Sequence, residues 1–299
     1  MGHSAITLDA LQTIDAIERR GSFAKAAEEL DKATSALSYT VQKLEDQLGV
    51  TLFQRQGRRS VLTPSGRLLL DEGRRILNAT AYLADQVKEL ATGWEPRLRL
   101  GLESTTEREP VFGALVTLLE EQPHLEIDLQ ECVLSGGWEA LELDSIDLLV
   151  GAPAPVPLQK GFRAVPMPPV DMLLVSAADH PLAAIANDAQ AIAEQLPHHR
   201  RIVTHDTAKG GVMRTAGLTD GKQVLYVQNM EQKVQAQLAG LGVGHLPRKL
   251  IQDHLQDATL VRLKTDAPNP EHLERYIAWK ITNKGKALKR LTQILSDAF

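Results

Sequence analysis

A tight break between two short helical patterns constrains this chain more than any other feature. In residues 21–66, Phe23, Ala26, Ala27 and Leu30 recur at helical spacing, and Asp31 and Lys32 interrupt them. Ala36, Leu37, Val41, Leu44 and Leu48 then restart the period. Two helices joined this way form a helix-turn-helix, whose second helix enters the DNA major groove. Residues 6–20 put Leu8, Leu11, Ile14, Ala16 and Ile17 on one face, which predicts a first helix covering the pair. Gly21 ends that helix, Ser22 is placed to cap the second, Thr34 or Ser35 the third, and Gly49 to stop it. Residues 50–53 and 60–62 read as two short strands around Gln56 and Gly57, a small β-wing. Arg55, Arg58 and Arg59 fall in that wing with no acid among them. A solvated turn would also hold three arginines, but directly after a helix-turn-helix they read as contacts to the DNA backbone.

Whole-chain charge does not carry this reading. The net charge is −5, and residues 1–63 balance eight Lys/Arg against eight Asp/Glu. A chain of 299 residues has room for two or three domains, and 43% apolar with 24% charged residues is ordinary globular composition. The longest apolar runs fall far short of the roughly 20 residues a bilayer requires. The N-terminus has no charged start followed by an apolar run, so no secretory signal is read. The single cysteine, Cys132, has no partner for an internal disulfide and is alone a poor metal ligand. These features predict a cytoplasmic protein with no membrane partner.

The run Gly-Ser-Phe-x-x-Ala-Ala-x-x-Leu from Gly21, then Ser38, Leu44-Glu45, Leu48-Gly49, Leu52-Phe53, Arg55 and Leu62-Thr63-Pro64-x-Gly66, resembles the N-terminal domain of LysR-type transcriptional regulators. The resemblance implies that Thr34 and Ser35 start the recognition helix, with Tyr39 where the family often has Arg, and Gln42 and Lys43 one turn on. Thr34, Ser35, Tyr39 and Gln42 are then the candidates for reading bases, because residues near such a helix's start reach base edges. Tyr39 has a second reading, as a partly buried aromatic closing the helix pair. Ser38, Lys43, Arg55, Arg58 and Arg59 are the candidates for phosphate contacts, which fix register and read no sequence.

Pro64 suits a helix start. From there to about residue 91, Leu69, Gly73, Ile76, Thr80, Leu83, Val87 and Leu90 step by alternating fours and threes, a heptad seam. Such a helix can pack on its own chain. The family resemblance implies instead that it pairs two subunits, and two-fold pairing implies an inverted repeat in double-stranded DNA. The residues at 92–96 break the helix. Beyond them strands and helices alternate, with strands at 98–102, 125–131 and 147–151 and helices at 111–121 and 138–143, which predicts a parallel sheet. Six prolines between 153 and 169 suit a rim and a crossing into a second lobe. Strands at 172–176, 201–204 and 223–227 and helices near 187–196 and 230–239 build that lobe. A return crossing near 265–270, a strand at 276–281 and a helix at 285–299 close the first lobe.

The expected fold class is therefore α + α/β. A winged helix-turn-helix occupies 1–63, a linker and dimerisation helix 64–93, and an effector-binding domain 94–299. Within the last, lobe I takes about 97–166 and 267–299 and lobe II about 167–266. Two such lobes resemble the periplasmic-binding-protein fold, which this family carries as its effector domain. The implied function is a ligand-responsive transcriptional regulator assembled as a dimer of dimers, a tetramer. A solute-binding protein without a DNA role is the alternative, and no catalytic constellation supports an enzyme.

In the family layout the strand-end loops of the two lobes converge. The effector-binding candidates are Ser104, Thr105, Thr106, Leu134, His205, Thr207, Gln228 and Asn229, where hydroxyls and free N–H groups at helix starts suit small anions. Glu103 opposes a purely anionic ligand unless Arg108 or Lys209 offsets it. The polar residues lean toward a small organic acid or a polar aromatic. No cofactor or metal is read. Gly240-Leu-Gly242-Val-Gly244 follows a helix and leads into a strand, the reverse of a dinucleotide fingerprint, and His198-His199 lacks a third ligand. Cys132 reads as a small buried apolar residue, with a redox-sensing role as the other reading.

Overall fold

The computed structural model describes residues 6–56, 59–92, 94–210, 223–265 and 272–299. The chain divides into two compact units, Met1–Val87 and Lys88–Phe299.

The first unit holds α1 (Leu8–Arg20), α2 (Phe23–Glu29), α3 (Thr34–Leu48), the hairpin β1 (Phe53–Gln56) and β2 (Arg59–Leu62), and the start of α4 (Pro64–Thr92). One side of α1 packs Ala10 and Ile14 against Leu44, Leu52, Leu62 and Leu70. The other packs Ala16 and Ile17 against Ala26, Ala27, Leu37 and Val41. Leu8, expected on the covered face, is 42% exposed at the helix start. The Ser22 hydroxyl accepts from Lys25 N at 3.3 Å, as its position suggests. Neither Thr34 nor Ser35 caps α3: the cap is Ala33, Thr34 is the first helical residue, and no side chain bonds the opening N–H groups.

The wing is tied to α3 by one carboxylate. Glu45 Oε1 accepts from Leu52 N at 2.6 Å and Phe53 N at 3.2 Å. Phe53 also meets Phe23 edge-on, at a centroid distance of 5.6 Å. The first turns of α4 lie on α1: a Cβ at Gly73 would stand 2.7 Å from Leu11 Cδ2, and Arg74 Nε donates to Asp15 at 2.7 Å. Further along, Ile76, Leu83 and Val87 are 48%, 59% and 60% exposed. The expected seam is thus divided, its early residues packed within the unit and its later described ones bare. The side chain of Leu90 lies outside the described residues.

The second unit begins with β3 (Arg97–Glu103), α5 (Arg108–Glu121), β4 (Glu126–Cys132), α6 (Ser135–Glu142) and β5 (Leu148–Pro153). β3 pairs in parallel with both β4 and β5. Next come β6 (Phe162–Ala177), α7 (Ala189–Gln195), β7 (Arg201–Thr204), β8 (Val224–Val227), α8 (Met230–Leu238), β9 (Gly244–Pro247) and α9 (Gln252–Gln256). The chain ends with β10 (Leu260–Arg262), β11 (His272–Lys280) and α10 (Lys286–Ala298). Alternation along β3 and β5 sends Leu98, Leu100, Leu148 and Val150 into a core with α5 and α10. Leu149 and Ala152 face the opposite way, toward Trp138 and Leu141 of α6. Glu95 caps α10 by accepting from Ala287 N at 2.8 Å and Leu288 N at 3.1 Å.

The crossing into lobe II differs from the proline-rich rim expected of it. β6 is one strand of 16 residues that serves both lobes. Residues 162–171 pair antiparallel with β11, and the pairing then passes to β9 from Met172 and to β10 from Val175. Prolines are admitted because the ladder yields around them. Register shifts between Leu273, opposite Val170, and Arg275, opposite Met167, so Pro168 and Pro169 need no N–H. Arg275 Nε fills the gap by donating to Pro168 O at 2.6 Å. Of the expected return crossing, residues 266–271 lie outside the described residues.

Glu45→Ala removes the acceptor of two backbone N–H groups in the wing. Urea denaturation is expected to show a loss of about 1–3 kcal/mol in the N-terminal unit, with faster amide exchange at Leu52 and Phe53. Unchanged stability and exchange would mean the wing is held by its apolar contacts alone.

Candidate functional site

Two surfaces carry the candidate residues, one in each unit. On α3, burial of Leu37, Val41 and Leu44 turns the opposite side of the helix outward. Thr34, Ser35, Ser38, Tyr39, Gln42 and Lys43 are all exposed there, recurring at i, i+4 and i+8. Tyr39 is 67% exposed, so it does not close the helix pair. Ser38 Oγ donates to Thr34 O at 3.0 Å, an ordinary in-helix contact. Arg55 and Arg59 lie on paired strands, Arg55 opposite Ser60 and Arg59 opposite Gln56. Their side chains, and all of Arg58, lie outside the described residues.

In the second unit a small cavity of about 80 Å³ lies among the strand ends. Its polar lining includes Glu103, Ser104, Thr105, Thr204, Lys233, His245 and Arg275, and its apolar walls include Val170, Met172, Met230 and Leu273. Of the eight residues expected at the effector site, Ser104, Thr105 and Leu134 line it. The other five stand elsewhere. Thr106 is buried and donates to Val150 O at 3.3 Å. His205 is exposed and stacks on Tyr226 at 5.0 Å. Thr207 is engaged with Val133, Gln228 is exposed, and Asn229 caps α8 by accepting from Gln232 N at 2.9 Å. The two cations expected to offset Glu103 are also absent from the lining: Arg108 pairs with Glu131 at 3.4 Å, and Lys209 is exposed.

Glu103 is placed by β3 and held by its neighbours. Its Oε1 accepts from Leu134 N at 3.3 Å and Ser104 Oγ at 3.2 Å, while the buried Oε2 has no hydrogen-bond partner. Burial, reinforced by the charge of Asp206, pushes its pKa up to about 8, so it is a neutral acid at pH 7. Gly151 permits this packing at φ +84: a Cβ there would stand 2.0 Å from Thr106 Oγ1 and 3.0 Å from Glu103 Cβ. Lys233, on α8, is 5% exposed, and burial pushes its pKa down to about 8. Arg275 is neutralised by Glu107, which accepts from Nη1 at 2.7 Å. Cys132 is buried, and burial followed by the charges of Glu103 and Glu131 pushes its thiol up to about 12. It therefore stays protonated, unlike a reactive thiol.

Beside the cavity, lobe II grips lobe I. Asp206 accepts from Ser135 N at 3.2 Å and Gly136 N at 3.0 Å, at the start of α6. Thr207 Oγ1 accepts from Val133 N at 3.0 Å, and Thr207 N donates to Val133 O at 3.2 Å. Glu139 accepts from Lys209 N and Gly210 N, each at 2.7 Å. Within this grip Leu134 is held at φ 55, a conformation L-residues rarely adopt. Gly136 has no room for a side chain, since a Cβ would stand 1.9 Å from Thr207 Oγ1.

Sequence reading missed Lys233, His245, Arg275 and the Asp206 cap. A signal for Lys233 existed: Met230, Lys233, Val234 and Gln237 share i, i+3, i+4 and i+7 spacing, and all four are buried. Among the described residues no group of three or more His, Cys, Asp or Glu could hold a metal ion, and no helix is long and apolar enough to cross a membrane.

Comparison with known proteins matches both units to described families. A family model described as "Bacterial regulatory helix-turn-helix protein, lysR family" matches residues 8–67, and one described as "LysR substrate binding domain" matches residues 91–299. The chain is 35% identical over 285 residues to the probable HTH-type transcriptional regulator YhaJ of Escherichia coli (strain K12), covering 95% of this chain and 93% of that one. Its fold is similar to that of CbnR, described as a LysR family transcriptional regulator, with a TM-score of 0.63, 16% identity, and coverage of 98% and 99% of the two chains. Full-length CbnR in complex with its target DNA gives a TM-score of 0.61 at 17% identity, covering 98% of this chain and 100% of that one.

Glu103→Gln is expected to alter the pH dependence of stability. A raised carboxyl pKa means the folded state keeps a proton that the unfolded chain loses above pH 4.5, so the wild type loses stability from there up to about pH 8. At about 1.4 kcal/mol per pKa unit this amounts to several kcal/mol, and the variant's relative gain in thermal midpoint should grow over that range. A gain constant with pH would show that Glu103 is already ionised in the folded protein. Gly136→Ala should force the Thr207 contact apart, giving faster proteolysis of the loop at 205–210; an unchanged rate would show that the grip absorbs the methyl group.

Proposed function

The chain belongs to the LysR family of transcriptional regulators, and on that premise we propose that it binds an inverted-repeat promoter site through α3 and the wing, under control of a small effector held in the cavity of its second unit. The observation that carries the DNA reading is the bare polar face of α3. Thr34, Ser35, Tyr39 and Gln42 would read bases, while Ser38, Lys43, Arg55, Arg58 and Arg59 would meet phosphates. The likeness to CbnR, whose structure has been solved with its target DNA, supports this use of the unit. The named relatives are transcriptional regulators, not enzymes, and they favour the regulator reading over a solute-binding protein.

The protein works in the cytoplasm, where its DNA is. Dimerisation through α4 is supported by the exposed Ile76, Leu83 and Val87, apolar side chains that a partner helix would cover. The assembly is a dimer of such dimers. The effector falls among small organic acids and polar aromatics, with Ser104, Thr105 and Leu134 at its site. Its binding would favour one arrangement of the lobes over another, and the linker helices would turn that into a changed spacing of the DNA-binding units. Such coupling requires unequal affinity of the effector for the two arrangements.

Binding to the DNA upstream of its own coding region tests the reading. Affinity should fall steeply as salt rises, because each neutralised phosphate releases counterions. Lys43→Ala, Arg58→Ala and Arg59→Ala should weaken all sequences alike. Gln42→Ala should change base preference at one position by about 1–3 kcal/mol. Equal weakening at every site by Gln42→Ala would remove it from base reading, and no binding at low salt would overturn the function.

A further inference from the structure

The charges around the cavity do not cancel. Arg275 is held by Glu107, which also pairs with the exposed Lys249 at 3.3 Å, and by Pro168 O. Glu103 forms no ion pair among the described residues: its Oε1 takes two hydrogen bonds, and the charge of Asp206 works against its ionisation. Glu274, at the rim, is exposed and accepts from the Tyr276 hydroxyl at 3.2 Å. Lys233 remains. It lines the cavity, is 5% exposed, and its ammonium has no hydrogen bond or ion pair among the described residues. A buried ammonium without a counter-charge is strongly unfavourable, so a buried lysine is ordinarily paired. The same cavity holds a second unmet polar atom, Glu103 Oε2.

We propose that the effector is a small monocarboxylate with an apolar body, its negative charge paired with Lys233 and one of its oxygens or an adjacent hydroxyl bonded to Glu103 Oε2. The inference rests on the cavity being the effector site. One unmet cation matches one negative charge. A phosphate dianion would bring a second charge beside Glu103, and a cationic ligand would face Lys233 with nothing to offset it. Glu103, neutral at pH 7, can donate its proton to a ligand oxygen without repelling it. Val170, Met172, Met230 and Leu273 supply apolar walls for the carbon body. A volume of about 80 Å³ admits only a compact molecule unless the lobes part.

The test uses the full-length chain and three matched acid–amide pairs at millimolar concentration: lactate with lactamide, isobutyrate with isobutyramide, and salicylate with salicylamide, in buffers of equal ionic strength. At least one acid should raise the thermal midpoint in a concentration-dependent way while its amide does not. Lys233→Met keeps the length of the side chain and removes its charge. It should reach a midpoint at or above that of the wild type without ligand, and bind the acid about 10-fold or more weakly. Glu103→Gln should weaken the same acid by a smaller factor. The acid–amide comparison on the wild type needs no variant, so a poorly folding Lys233→Met leaves the proposal testable. Stabilisation by amides equal to that by acids, undiminished binding by Lys233→Met, or no response to any of the three acids would overturn it. Failure of the underlying effector reading looks different: no fraction of a cell metabolite extract would then change promoter binding.

Discussion

Asp206 reaches from one lobe into the first turn of a helix in the other, and much of the candidate site follows from that contact. Its carboxylate meets the N–H groups of Ser135 and Gly136, which have no partner within α6. Thr207 holds Val133 from both its N–H and its carbonyl. Between these anchors the backbone of Leu134 is forced to a positive φ, which turns its N–H toward Glu103. Strain of this kind, of order 1–3 kcal/mol, persists only where the surroundings over-determine the geometry. The charge of Asp206 also helps keep Glu103 protonated. Two acids a short way apart thus take different roles, one capping a helix and one waiting neutral at the cavity.

The DNA-binding unit depends on an analogous economy. It is neutral overall, with eight charges of each sign in residues 1–63, so it does not attract DNA by bulk charge. Its specificity for nucleic acid lies in shape: three helices packed through two small cores, with a wing hung from Glu45. Many of its acids are occupied in ion pairs away from the α3 face, Asp15 with Arg19 and Arg74 and Glu18 with Arg67. Lys43 and the polar residues of α3 stand exposed at the surface.

What could be read from the residues alone was whatever depends on local periodicity and turn chemistry. The helix-turn-helix, the parallel order of β3, β4 and β5, and the closing helix all follow from spacing that survives folding. The site was less legible because its members are defined by burial. Lys233 lies in a stretch reading Met-Glu-Gln-Lys-Val-Gln, where a lysine ordinarily faces water, and only tertiary packing, with its stem beside Gly244 of β9, removes it from solvent. Their position after a strand points His205 and Thr207 toward the cavity. The residue between them, Asp206, instead turns that loop into a grip, carrying both away from the cavity. Arg275 was hidden for another reason: its place is set by a ladder irregularity opposite two prolines, which no periodicity encodes.

The continuity of β6 has a consequence for how such a chain can change over generations. Its residues 162–171 serve one lobe and 172–177 the other, with no loop between to absorb an insertion. Outside the register shift opposite Leu273 and Arg275, a deletion or insertion of a single residue would flip every side chain beyond it to the opposite face, in whichever lobe lay downstream. The two lobes therefore cannot drift independently along this strand. Diversification for new ligands is confined to substitutions at fixed positions and to loops, while the strand itself is inherited as one indivisible length.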